Sequence, residues 1–311
     1  MDHRRLGDSG LKVSEIGLGC NNFGMRIDQE ATNAVIDAAI EHGVTFFDTA
    51  DVYGGRGKSE EMMGVALKGK RHQIVLATKF ASPMGAPDKQ GGSRRYIMEA
   101  VEASLRRLQT DYIDLYQMHR PDPETPIDET LSALDDLVTQ GKVRYIGNSN
   151  FSGWQIADAD WTARDAHSAR FVSAQNNYSL LERRVEHEVN PACERFGLGM
   201  LPYFPLASGL LTGKYRRGED APEGTRLAAW GARGQQALND KNFDRLEALS
   251  GWAAERGHTL LNLAFAWLLG HPVVSSVIAG ATRPEQVAAN AATAAWKLTP
   301  AEVEEVTKLA A

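Results

Sequence analysis

Four side chains of this 311-residue sequence are of types and placements that could do chemistry together: Asp48, Tyr53, Lys79 and His119. Asp48 closes the run Thr45-Phe46-Phe47, and Tyr53 follows in the stretch Asp48-Thr49-Ala50-Asp51-Val52-Tyr53-Gly54. Lys79 and His119 each end a further apolar run. A tyrosine of reference pKa about 10 is a poor acid at neutral pH, whereas a cation beside it favours the phenolate and lowers that value. Lys79 could supply the cation. Desolvation would tend to strip its proton, and a carboxylate such as Asp48 would hold it charged. His119 could then donate a hydrogen bond to a substrate carbonyl while Tyr53 hands over a proton, which suits carbonyl reduction. Taken singly, Asp48 reads as well as a turn former, Tyr53 as a loop aromatic, Lys79 as a surface lysine and His119 as a hydrogen-bonded core histidine; only the joint placement argues for a site. His119 has no partner at ligand spacing, so no metal is expected.

For these four to meet, the runs that carry them must lie side by side. Eight apolar stretches read as strands, over 15–20, 45–49, 74–79, 113–119, 144–149, 171–176, 200–204 and 274–278. Most are apolar throughout, as strands buried on both faces of a parallel sheet are. Helical periodicity predicts helices over 29–42, 59–67, 94–108, 127–140, 154–163, 184–195, 260–269 and 284–292. Ile97, Val101, Leu105 and Leu108 form one apolar stripe, Asp28 and Ser93 can cap helix starts, Gly43 and Gly141 can end helices, and Pro284 suits a first turn. Eight strands alternating with eight helices favour an α/β fold closed into a (β/α)8 TIM barrel. It is read as a single domain over 1–311, with an N-terminal β-hairpin around Gly7–Gly10 and a long loop after strand 7. That loop, from 212 to about 240, is polar and contains Gly and Pro; it reads as a flap over a ligand. In such a barrel the active site sits at the carboxyl ends of the strands, where the four residues fall. An open doubly wound sheet would usually carry a Gly-rich phosphate loop. Gly17-Leu18-Gly19 lacks the third glycine, and Gly57-Lys58-Ser59 has Val52 where a phosphate loop needs glycine.

A net charge of −6 without a basic stripe excludes nucleic acid as the expected partner and points to a small molecule. Two cysteines, Cys20 and Cys193, form neither a CxxC pair nor a disulfide framework. No apolar run approaches membrane-spanning length, and the N-terminus has no apolar core ahead of a cleavage site. A cytoplasmic protein without membrane association is the expectation.

The run Gly43-Val44-Thr45-Phe46-Phe47-Asp48-Thr49-Ala50-Asp51-Val52-Tyr53-Gly54, with Ala77-Thr78-Lys79-Phe80 and Tyr116-Gln117-Met118-His119-Arg120, resembles the aldo-keto reductase superfamily. The similarity continues through Gly147-Asn148-Ser149-Asn150-Phe151, Ser173-Ala174-Gln175-Asn176-Asn177-Tyr178, the stretch from Pro205 to Tyr215 and Gly280-Ala281-Thr282-Arg283-Pro284-Glu285-Gln286, covering nearly the whole chain in order. The resemblance implies an NADPH-dependent oxidoreductase acting on an aldehyde or ketone, with Asp48, Tyr53, Lys79 and His119 as its catalytic tetrad. It implies that Ser149, Asn150 and Gln175 hold the nicotinamide carboxamide and that Tyr203 stacks under the ring. Pro205, Leu206, Gly209 and Lys214, then Gly280, Thr282, Arg283, Gln286 and Asn290, would take the pyrophosphate and adenosine end. A phosphate at the helix start and an Arg283 grip on a 2′-phosphate argue for NADPH over NADH. Ala289 departs from the glutamate that many relatives carry, so an adenine contact would be lost. Asn21, Val52, Phe80 and Arg120 match substrate-pocket positions, and Asn21, where some relatives carry a large aromatic, would make the pocket more polar. Potassium-channel β subunits share this fold and cofactor site while serving chiefly as partners, so the resemblance also implies an alternative, a cofactor-binding regulatory module. A lyase or isomerase using Lys79 as a Schiff base would be active without nicotinamide.

Overall fold

The computed structural model describes residues 1–311, the side chain of Arg233 excepted. Two short strands open the chain, β1 (His3–Arg5) and β2 (Lys12–Ser14), paired antiparallel as a hairpin. Eight parallel strands follow: β3 (Ile16–Gly19), β4 (Phe46–Asp48), β5 (Val75–Phe80), β6 (Ile113–Met118), β7 (Val143–Ser149), β8 (Phe171–Gln175), β9 (Gly199–Met200) and β10 (Val277–Gly280). Each lies beside its sequence neighbour, and β10 returns to pair with β3. The ring closes where Met200 bridges Val274 and the Ile278 N–H donates to the Pro202 carbonyl (3.1 Å). The architecture is a (β/α)8 barrel.

Its helices are α1 (Gln29–Glu41), the single turn α2 (Tyr53–Arg56), α3 (Lys58–Ala66), α4 (Arg94–Leu108), α5 (Ile127–Thr139), α6 (Gly153–Asp165), α7 (Val189–Phe196), α8 (Arg226–Ala229), α9 (Ala232–Gln236), α10 (Asp240–Ala254), α11 (Leu260–Leu269), α12 (Pro284–Ala292) and α13 (Pro300–Leu309). Local sequence sets their ends. The Asp28 carboxylate accepts from the Ala31 N–H and the Ser93 hydroxyl from Tyr96, satisfying donors that a helix start leaves open, and Pro284 sits in the first turn of α12. The α4 stripe Ile97, Val101, Leu105 and Leu108 is buried.

Because side chains alternate across a strand, one set points into the barrel and the other toward the helices. Phe46, Ala77, Leu115, Leu201 and Ile278 point inward and pack with Leu6 and Val13 of the hairpin, which therefore plugs the end of the barrel where the strands begin. Fully burying a side chain of the size of Leu6 contributes about 1.5–3 kcal/mol. The carboxyl ends of the strands are left open.

Three expectations need correction. The stretch 184–195 is not one helix: a 3-10 turn, Arg184–Glu186, precedes α7. Pro191 has no N–H and tolerates only a first turn, so the helix restarts just before it. The strand expected over 200–204 is only Gly199–Met200, because Pro202 cannot donate to a ladder; Tyr203 makes an isolated bridge to Asn177. The last strand is shifted toward its carboxyl end, to Val277–Gly280. The segment after β9 holds the short helices α8 and α9, and α10 and α13 were not anticipated at all.

Candidate active site

β4 ends on Asp48 and β5 brings Lys79 beside it, with the Lys79 ammonium 2.6 Å from Asp48 Oδ2 and 2.8 Å from the Thr49 carbonyl. Neither side chain has meaningful exposure to water. Burial pushes the Lys79 pKa down, but Asp48 and then Tyr53 outweigh it, and the ammonium is held above its ordinary value. Lys79 Nζ lies 5.1 Å from the centre of the Tyr53 ring, close enough for its charge to favour the phenolate.

Tyr53 is carried by a sharp turn. Gly54 adopts φ 68°, and a Cβ there would lie 2.7 Å from the Phe23 carbonyl oxygen and 2.8 Å from the Ser59 nitrogen, so both conformation and space require glycine. The turn is tied to β5 by the Asp51 N–H donating to the Lys79 carbonyl (3.1 Å). The Tyr53 phenol stands above its ordinary pKa, not below: burial is the larger effect, and the lowering by Lys79 does not overcome it. This reverses the expectation from the cation alone.

His119, just past β6, completes the group. Burial, then the charges of Lys79 and Arg120, pull its pKa down to about 3, so the imidazole is neutral. A neutral imidazole can donate one hydrogen bond without bringing a charge into the cavity.

Across from this group the ends of β7 and β8 present amides and a hydroxyl. The Ser149 hydroxyl donates to the Gln175 carbonyl (2.8 Å), Asn150 Nδ2 donates to the His119 carbonyl (2.9 Å), and the Tyr203 hydroxyl donates to Asn150 Oδ1 (2.8 Å). Gln175 Nε2 donates to Asp48 Oδ1 (2.9 Å). The amides are thus locked before any ligand arrives.

A cavity of about 670 Å³ joins both groups. Asp48, Tyr53, His119, Ser149, Asn150, Gln175 and Tyr203 line one end, and Pro205, Leu206, Gly209, Lys214, Gly280, Thr282, Gln286 and Asn290 extend it toward α12. Asn21 also lines it, and so does Ala289, the position of the missing glutamate. Lys79 stands behind Asp48 with no exposure. Four further anticipated residues fall outside the lining. Phe80 follows inward-facing Lys79, so it turns to the helix side and stacks on Tyr116 at 4.8 Å. Val52 stays in the turn that leads into Tyr53, half-buried. Arg120 is exposed and reaches the site only through its charge on His119. Arg283 is exposed at the N-cap of α12, beside the end of the cavity lined by Thr282 and Gln286.

Two cations were missed. Arg26, in the loop after β3, and Arg226, in the first turn of α8, line the cavity with Lys214. Burial, then Arg226 and Arg26, hold the Lys214 pKa low, and burial and Arg26 do the same to Arg226. Among the described residues no carboxylate pairs with any of the three, in a chain with 40 acidic residues against 34 Lys and Arg. Unbalanced positive charge in a concave site is a demand for an anion. The residues therefore fit a phosphate-bearing dinucleotide: amides at the end near Tyr53, cations and the start of α12 at the other.

The family model described as the Aldo/keto reductase family matches residues 15–311. The chain is 40% identical over 298 residues to an uncharacterized oxidoreductase, YrpG, of Bacillus subtilis (strain 168), covering 92% of this chain and 89% of that one. It is 39% identical over 298 residues to a probable voltage-gated potassium channel subunit beta of Arabidopsis thaliana, covering 93% and 90%. It is 35% identical over 333 residues to a versiconal hemiacetal acetate reductase of Aspergillus parasiticus, covering 98% and 95%. With a barrel whose strand ends gather Asp48, Tyr53, Lys79 and His119 at one end of a dinucleotide-sized cavity, and a family match over nearly its full length, this chain belongs to the aldo/keto reductase family of oxidoreductases.

Proposed function

We propose that the protein reduces an aldehyde or ketone to its alcohol with NADPH, Tyr53 giving the proton. The observation that carries this reading is the convergence of Tyr53, His119 and the Lys79–Asp48 pair at the cavity that the amide group also lines. The cofactor, when bound, supplies hydride to the carbonyl carbon. The protein does the rest. His119, neutral, donates a hydrogen bond that holds and polarises the carbonyl oxygen. Tyr53 delivers its proton to that oxygen as charge builds on it, and Lys79, kept charged by Asp48, stabilises the phenolate left behind. Ser149, Asn150 and Gln175 orient the carboxamide, Tyr203 supports the ring, and Lys214, Arg226 and Arg26 meet the pyrophosphate. The exposed guanidinium of Arg283 at the start of α12 favours a 2′-phosphate and so NADPH over NADH.

The relationship to proteins named as potassium channel β subunits supports a second reading, a cofactor-binding partner of a membrane protein. The retained proton-transfer group favours turnover. A panel of aldehydes, ketones and quinones, followed by loss of the NADPH absorbance, separates the two: turnover on any member supports the reductase. Tight NADPH binding with no turnover across the panel, together with capture by a channel subunit, supports the partner.

A further inference from the structure

Gln117 stands on β6 two residues before His119, fully buried, and has no part in the proton transfer or cofactor contacts assigned above. Its Nε2 donates to Asp48 Oδ1 (3.0 Å), and its Oε1 accepts from Gln175 Nε2 (3.3 Å). Gln175 Nε2 donates to the same Asp48 oxygen (2.9 Å), so the three side chains close a triangle. They come from β4, β6 and β8, alternate strands whose inward side chains share one layer of the barrel. The sense of the amides follows from chemistry. A carboxylate only accepts, so both glutamines must turn their NH2 groups to Asp48, which leaves the Gln117 oxygen for the second proton of Gln175.

Two consequences follow. With Oδ1 held by two amides, the Asp48 carboxylate is fixed about its last bond, and Oδ2 stays on Lys79. With both Nε2 protons of Gln175 engaged, the atom that Gln175 can offer to a carboxamide is its Oε1, an acceptor for the carboxamide NH2. We propose that Gln117 is a positioning residue that ties the proton-donating group to the carboxamide seat, by holding Asp48 and Gln175 against each other. This rests on the reductase reading given above. In a dry interior each of these bonds is strengthened, and losing one donor leaves the Asp48 oxygen under-satisfied.

The test is Gln117→Met, close in volume and without the amide. Binding is measured with NADPH and with 2′,5′-ADP, which carries the phosphate end but no nicotinamide. The single-turnover rate of NADPH oxidation is followed against pH. The variant is expected to weaken NADPH about tenfold while leaving 2′,5′-ADP within about twofold, a fold-change of the size of one charge-assisted hydrogen bond. Its alkaline limb is expected to move to higher pH, because an Asp48 carboxylate that has lost a donor holds the Lys79 proton and the Tyr53 proton more tightly. Equal loss for both ligands, or a lower rate with an unmoved limb, would mean that Gln117 only packs, and would overturn the proposal. If Gln117→Met does not fold, Gln117→Glu gives the same reading. A carboxyl at that position can donate to Asp48 only while protonated, so NADPH binding should be near wild type in acid and fall as the new proton leaves; binding independent of pH would contradict the assignment. Wild-type protein that binds no NADPH at all would instead sink the reductase reading itself, which keeps the two failures apart.

Discussion

The rings of Tyr53 and His119 meet edge to face, with centroids 5.7 Å apart and planes at 83°. The contact sets the two side chains against each other at the wall of the cavity that both line. Burial, and then the charges of Lys79 and Arg120, keep His119 neutral.

The pH dependence of stability should carry this signature. His119 has a folded pKa of about 3 against about 6.5 when unfolded. As pH falls below about 6.5 the unfolded chain gains a proton that the folded chain refuses, so stability is lost toward acid. By about pH 5 the loss is about 2 kcal/mol from this residue. The fall in melting temperature from about pH 7 to about pH 5 should be smaller in His119→Gln than in wild type; equal falls would contradict the neutral assignment.

The Asp48–Lys79 pair predicts a different penalty. Lys79→Met strands a buried carboxylate, and breaking a buried pair from one side costs about 3–5 kcal/mol. Urea unfolding should show most of that loss, and adding Asp48→Asn should recover part of it. A double variant no more stable than the single would show that the penalty is not electrostatic.

The three cations at the far end of the cavity predict salt-dependent cofactor binding. Lys214→Met or Arg226→Gln should weaken NADPH about ten- to a hundredfold and flatten the dependence of its Kd on ionic strength. Titration of protein fluorescence at low and high salt checks this. A variant whose salt dependence matches wild type would remove that residue from the phosphate site.

The turn that presents Tyr53 predicts that Gly54→Ala is costly. A methyl group meets the Phe23 carbonyl at 2.7 Å in a left-handed backbone, so about 1–3 kcal/mol of stability and a large part of any turnover should go together. Unchanged melting and activity would mean that the turn relaxes freely.

Much of this was legible in the sequence, for physical reasons that differ by element. Apolar runs ending in a polar residue mark strands buried on both faces whose last side chains gather toward the carboxyl end of the barrel, which is why Asp48, Lys79 and His119 are legible as neighbours in the sequence; that Lys79 stands behind Asp48, out of the cavity, is not. The capped helices α1 and α4 were readable from Asp28 and Ser93. Phe80 was misplaced because similarity of position ignores the alternation that turns it outward, next to inward-facing Lys79. Arg26 and Arg226 were missed because their loops are far apart in the chain and each looks like a solvated surface arginine; only the fold brings them to one cavity with Lys214. Gln117 was hidden in a strand motif, where its inward direction follows from the same alternation as that of Leu115. The stripe of Phe243, Leu246 and Leu249 in α10 was overlooked because it follows a long polar stretch.

The most direct test of the central claim is single-turnover oxidation of bound NADPH by an aldehyde that the wild type reduces, with wild type and Tyr53→Phe side by side and NADPH affinity measured for both. If Tyr53 is the proton donor, the variant should bind NADPH within about twofold of wild type and oxidise it about 10²- to 10⁴-fold more slowly, the range that general-acid catalysis supplies. A Tyr53→Phe protein that binds the cofactor and turns over at the wild-type rate would contradict the assignment.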